Sequence, residues 1–336
     1  MRKLAIIIAI LAQAAALAWV VFERETVSRT GTVVYLRTAP VDPRDVFRGD
    51  YVQLSYDINR IPQDLADAAL REPGKRTTAR VYATLSVDAS GIANVTALRS
   101  QPPAEGLYLR GYATDDWQLQ AGEREIAVKF GIEKLFVEQG AGRALEERRG
   151  TRDGWQTPLE VEVAVGANGI GVIRGHRWSS LATRLEVLNP PQPGERDNPP
   201  SPKLRFSIRN DSRSPVGLAN PGNDCALSLV PVGGLAFTMS SHECAGVLAG
   251  ATDVIAVAPG EVYAFEIDTA HPRWHMRALT VNERPFSGEI ARLDRWQQFR
   301  LVYRSPENAD ELSGTSAPVW VGTLSSAAFS NRGRVD

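Results

Sequence analysis

The chain opens on an apolar run from Leu4 to Phe22, in MRKLAIIIAILAQAAALAWVVFERE, interrupted only by Gln13. Those nineteen residues, at a helical rise of about 1.5 Å each, match a hydrocarbon core about 30 Å thick. Arg2 and Lys3 precede the run, so the N-terminus is expected to stay cytoplasmic, with everything after Glu23 on the far side. Trp19 and Phe22 stand where aromatic interface anchors are expected. A cleaved signal peptide is the competing reading, because AQA at 12–14 and AAA at 14–16 resemble small-residue cleavage sites. The run continues through LAWVVF beyond them, which favours an uncleaved anchor. Both readings put the body outside the cytoplasm, and the sequence holds no second apolar run of spanning length.

The 336 residues suggest two ordinary domains plus extras. With 38 basic against 39 acidic residues, the basic surplus of a nucleic-acid binder is missing. Cys225 and Cys244 are the only cysteines. In an oxidising compartment they are expected to form a disulfide, and closing a loop of that size contributes about 3 kcal/mol. Two buried thiols are the plainer alternative. A metal site using His242 of SHEC is a weak third, since no fourth ligand stands at metal spacing. No cofactor is expected.

The patterning is mainly β. A strand is expected over 30–40, and 50–58 alternates, with Val52, Leu54, Tyr56 and Ile58 on one side. Hairpins are expected to turn at Ala89–Gly91 and at Asn168-Gly169, a favoured turn pair. Short helices are expected at 63–72 and 140–150. The segment NPPQPGERDNPPSP, residues 189–202, is stiff and coreless. It suggests an anchor and short linker at 1–28, a β-rich domain at 29–188, the proline linker at 189–202 and a second domain at 203–336. About seven strands in that last stretch point to an immunoglobulin-like sandwich. Trp296, Phe299 and Trp320 are its expected core aromatics, and Pro259-Gly260 is an expected turn before Val262–Ile267.

The stretch PVDPRDVFRGDYVQLSYDI resembles the bacterial GDYXXLXY family, whose pattern Gly49, Asp50, Tyr51, Leu54 and Tyr56 fill in order. The later FGIEKLFVEQGAGRALEE is similar to a second block of that family, through Gly131, Phe136, Gly140, Gly142 and Glu146. The resemblance covers about 30–175 and brings no biochemical activity with it. It implies a membrane-anchored protein associated with an envelope partner, a multi-pass membrane protein.

Asp42, Arg44, Asp45, Arg48 and Asp50 alternate in sign. They read first as a salt-bridged loop in which Gly49 permits an unusual turn and Asp50 pins it through backbone N–H groups. A recognition loop is the functional alternative. The enzyme reading is a membrane-anchored peptidase like the signal peptidases, with Thr38 or Ser28 as nucleophile and Lys129 as a desolvated base. The serine motif such an enzyme needs is missing. His271 and His275 are spaced for one helix face, but Pro272 argues against a helix there. Trp274, Trp296 and Trp320 are expected in the core sooner than stacked on a sugar. The expected function is therefore a periplasm-facing binding or assembly module held at the inner membrane.

Overall fold

A computed structural model describes residues 2–38, 51–71, 79–88, 90–113, 125–136, 138, 154–190, 192, 200–222, 224–232, 237–241, 243–244, 246–281, 284–293, 297–306, 308–312 and 317–331. Its elements begin with α1 (Arg2–Thr30), β1 (Thr32–Arg37), β2 (Tyr51–Gln53), β3 (Arg60–Pro62), α2 (Ala68–Arg71), β4 (Arg80–Val87) and β5 (Ala93–Arg99). They continue with β6 (Tyr108–Ala113), β7 (Glu125–Lys129), β8 (Lys134–Phe136), β9 (Trp155–Gln156), β10 (Leu159–Val165) and β11 (Gly171–Trp178). After a two-residue step follow β12 (Leu181–Val187), β13 (Lys203–Asn210), β14 (Val216–Ala219), β15 (Leu227–Val232), β16 (Thr238–Met239) and β17 (Val254–Val257). The chain closes with β18 (Val262–Asp268), β19 (Met276–Val281), β20 (Arg284–Gly288), β21 (Gln298–Arg304), β22 (Thr323–Ser325) and β23 (Phe329–Ser330).

The apolar run is helical, and α1 does not stop at its end. It carries on through Glu23–Thr30, so the short linker expected before residue 29 is helix as well. Its apolar side chains face outward, with Trp19 and Phe22 about two-thirds exposed, at 68% and 65%. By length and composition the helix is long and apolar enough to cross a membrane. The helix docks onto the body within its last two turns. Val27 is buried, and the Asn168 side-chain amide donates to the Glu23 carboxylate at 3.0 Å. Gly31 ends the helix by donating to the Val27 carbonyl at 2.8 Å. A Cβ there would press on the Val27 and Val165 carbonyls at 2.6 and 3.0 Å, so backbone meets backbone only because the residue is glycine.

Two hydrophobic cores follow. The first lies between the antiparallel sheet β1-β10-β11 and the sheet β3-β7-β6-β4-β5. Alternation explains which residues reach it: Val34 and Leu36 of β1 and Leu159, Val161, Val163 and Val165 of β10 share one face. Both expected hairpins form, as β4–β5 and β10–β11. Gly169 takes φ +75 in the second, the left-handed turn geometry its Asn-Gly pair supplies. The helix expected at 63–72 is shorter, a 3-10 turn at Gln63–Leu65 followed by α2. The one expected at 140–150 lies outside the described residues.

The second core lies between the sheet β9-β12-β13-β18 and the sheet β15-β21-β22, with β23 also on β21. Phe265 of β18 meets Tyr303 of β21 across it, with ring centroids 6.3 Å apart. Phe299, Trp320 and Trp274 are buried there, so the two tryptophans pack instead of presenting a face for stacking. Trp296 lies outside the described residues. The proline-rich segment is not the divider between the cores. It joins β12 to β13, which pair along their lengths from Leu181↔Asn210 to Val187↔Leu204. Leu181 and Leu185 already belong to the second core, which starts before the proline segment. Composition marks that segment as stiff but does not reveal what its two ends pair with.

Candidate functional site

Of the motif residues, Asp42, Arg44, Asp45, Arg48, Gly49 and Asp50 lie outside the described residues. Tyr51 opens β2, which pairs with β8 so that Tyr51 faces Phe136, Val52 faces Leu135 and Gln53 faces Lys134. The two sequence blocks that carry the family resemblance are thus one ribbon, closed across about eighty residues of chain. Leu54 and Tyr56 follow it into the first core, at 2% and 1% exposure. The strand itself stops at Gln53, yet Leu54, Tyr56 and Ile58 are all buried as the alternation expects.

Hydrogen bonds fix this junction. The Tyr56 hydroxyl donates to the Ile132 carbonyl at 2.7 Å, and burial pushes its phenol well above the usual range, so it stays neutral. The Leu54 N–H donates to the Glu133 carbonyl at 2.8 Å. The Glu133 carboxylate accepts from the N–H groups of Phe130 and Gly131 at 2.6 and 2.9 Å. Asn59 accepts from the Tyr56 N–H at 2.6 Å and donates to the Val128 carbonyl at 2.7 Å. The inner face of the motif is therefore a clamp on the 130–133 turn. On the outer side, Phe136 is 75% exposed.

Asp57, next after the clamp, stands at the seam between the cores. It reaches solvent, yet the protein crowded around it desolvates the carboxyl and pushes it up to about 6. The charges of Arg37, then Arg304 and Arg300, pull it back down. Arg37 is the main bridge across the seam. It ends β1 on the face of the sheet turned away from the first core, and it is only 5% exposed. Its guanidinium pairs with Glu160 at 3.4 Å, donates to the Thr323 carbonyl at 3.1 Å and lies 4.7 Å from the Trp320 ring centroid. Cross-strand register makes the arrangement: Arg37 faces Glu160 on β10, and Glu160 faces Arg177 on β11. Arg177 holds the other carboxylate oxygen of Glu160 at 2.7 Å and covers the Tyr35 ring at 3.6 Å. Two-residue steps, 157–158 and 179–180, carry the chain across the same seam.

The residues weighed for peptidase chemistry sit apart in character. Thr38 is buried, with its hydroxyl accepting from the Leu159 N–H at 3.2 Å. Ser28 lies on α1. Lys129 is exposed on β7, so it lacks the desolvation a lysine base needs. Cys225 and Cys244 form a disulfide. His271 precedes a 3-10 turn at Pro272–Trp274, where its ring accepts from the Arg273 N–H at 3.3 Å, and His242 lies outside the described residues. Among the described residues no group of His, Cys, Asp or Glu is placed to hold a metal ion.

A cleft of about 640 Å³ opens where α1 meets the body, lined by Trp19, Phe22, Val27, Leu107, Tyr108 and Ala167. It begins at the end of the apolar run. Sequence reasoning missed it, as it missed Arg37, Glu160 and Asp57. An arginine closing TVVYLR and a glutamate alternating in LEVEVAV look like solvent-facing residues until a second core covers them.

An apolar N-terminal helix carrying two antiparallel β bodies is the architecture these observations define. Residues 13–175 match the family model described as GDYXXLXY protein, from within α1 to within β11. No curated protein and no solved structure matches the chain.

Proposed function

We propose that this is a membrane-anchored binding or assembly module of the GDYXXLXY type, facing the periplasm of a bacterial inner membrane, with a multi-pass membrane protein as its partner. The observation that carries this reading is the mounting of the first body. Helix α1 runs without a break from its apolar segment into the body, and Val27, Gly31 and the Glu23–Asn168 hydrogen bond seat it there. A body held this way keeps its faces at a set height over the bilayer, which suits docking on a neighbour in the same membrane. Phe136, exposed on the motif ribbon, is the recognition point. The second body is an immunoglobulin-like module. Its order β12-β13-β18 against β15-β21-β22 follows the A-B-E and C-F-G sheets of that sandwich.

Topology is tested with a periplasm-active reporter fused after residue 60 and with carbonate washing of membranes. An active reporter and retention in the pellet are expected; a shortened soluble product would refute the anchor. Partnership is tested with a photocrosslinking residue at position 136 in native membranes, and at the exposed Val262 as control. An adduct with a multi-pass membrane protein from 136 alone is expected. Equal adducts from both positions, or none from 136, would remove the recognition surface.

A further inference from the structure

The Cys225–Cys244 disulfide has a buried cation beside it. Arg273, in the turn after β18, is 6% exposed. One Nη donates to Cys244 Sγ at 2.8 Å, and the other donates to the carbonyls of Asp224 and Leu227 at 2.7 and 3.1 Å. The guanidinium lies 4.5 Å from the Trp274 ring centroid, and Nε has no partner. Every acceptor is neutral, and among the described residues no carboxylate comes within ion-pair distance. The carboxylates of Asp224 and Glu243 act on it only through space, and Asp224 is itself engaged by the Asn220 amide at 3.0 Å. Desolvation accordingly pulls the arginine down from its usual range. A buried guanidinium without an anion is costly, and a buried charge is normally paired. The one atom in contact with it that can become an anion is Cys244 Sγ.

We propose that Cys225–Cys244 is a thiol–disulfide exchange site, with a dithiol as co-reactant and Arg273 as the positioning residue that receives Cys244 as a thiolate. The thiolate of the dithiol attacks Cys225 Sγ. A mixed disulfide forms, the Cys225–Cys244 bond breaks, and its electron pair leaves on Cys244 Sγ, held by the Nη–H of Arg273. The second thiol of the dithiol then attacks its own sulfur in the mixed disulfide. Cys225 is released as a thiolate that takes up a proton, and the dithiol departs oxidised by two electrons. A stabilised leaving thiolate speeds such exchange and directs it to the other sulfur. Cys225, the residue attacked, is half-buried and not closed off in the core.

The test uses the full-length protein in detergent. With Cys225→Ser, alkylation rate against pH reads Cys244 alone; with Cys244→Ser it reads Cys225 alone. Cys244 is expected to titrate at least about two units below the ordinary thiol value near 8.5, with Cys225 near that value. Arg273→Lys in the first background should keep most of the depression, and Arg273→Gln should abolish it. An ordinary Cys244 titration with Arg273 in place would overturn the proposal, and so would an unchanged one in Arg273→Gln. A second readout needs no arginine variant. The intact disulfide is treated with limiting monothiol, and the mixed disulfide is mapped by mass. It is expected on Cys225; equal or preferential trapping on Cys244 would overturn the proposal.

Discussion

Replacing Arg37 with alanine should uncouple the two cores. The side chain makes three separate contacts across or along the seam, and each is lost. Its charge-assisted hydrogen bond to the Thr323 carbonyl at 3.1 Å contributes about 1.5–3 kcal/mol. Its stacking on Trp320 at 4.7 Å, out of water, contributes about 1–2 kcal/mol. Breaking a buried ion pair ordinarily costs about 3–5 kcal/mol, chiefly through the charge left behind. Glu160, however, keeps Arg177 at 2.7 Å, so only a fraction of that penalty applies. The sum expected for Arg37→Ala is about 3–6 kcal/mol. Urea unfolding of the full-length protein in detergent measures it. Tryptophan fluorescence reads both cores, through Trp178 packed on the first and Trp274 and Trp320 in the second, and far-UV circular dichroism follows the strands of both. The transition of the variant should shift to lower urea and split, because the second core loses its hold on the first. Arg177→Ala is the control; its side chain is 39% exposed, so its loss should cost about 1 kcal/mol and leave a single transition. If Arg37→Ala unfolds like the natural protein, or no more weakly than Arg177→Ala, the seam is not held by Arg37.

Tyr56→Phe should cost about 1–3 kcal/mol in the same assay, since the Ile132 carbonyl is left without its donor in a buried site. Leu54→Ala should cost about 2–5 kcal/mol, and a wild-type transition for either would disprove the inward clamp. Gly169→Ala forces a side chain into φ +75 and against the Tyr108 ring, and should lower stability by more than about 1 kcal/mol. For Asp57 the folded carboxyl holds its proton more tightly than the unfolded one, so its contribution is greatest at low pH. That contribution declines as pH rises from the ordinary carboxylate value through about 6. Asp57→Asn should flatten the melting-temperature profile across that window, and an unchanged profile would remove Asp57 as its source.

The sequence by itself determined what depends on neighbouring residues. An apolar run of spanning length makes α1, period-two alternation turns Leu54, Tyr56 and Ile58 to one face, and Asn168-Gly169 turns a hairpin. The cysteine pair belongs here in part: the sequence offers one possible intrachain bridge, and that bridge forms. Alternation says which face a side chain takes but not what will cover that face. Glu160 in LEVEVAV therefore reads as solvent-facing, and only the approach of Trp320 and Thr323 makes the outer face of β1-β10-β11 an interior. For the same reason a proline-rich stretch reads as a divider, although its flanks pair as β12 and β13. The meeting of β2 with β8, the arginine charges of Arg37, Arg304 and Arg300 that act on Asp57 and the placing of Arg273 on Cys244 join segments far apart in the chain. Such pairings are set by how whole sheets close over a shared core, which no local pattern encodes.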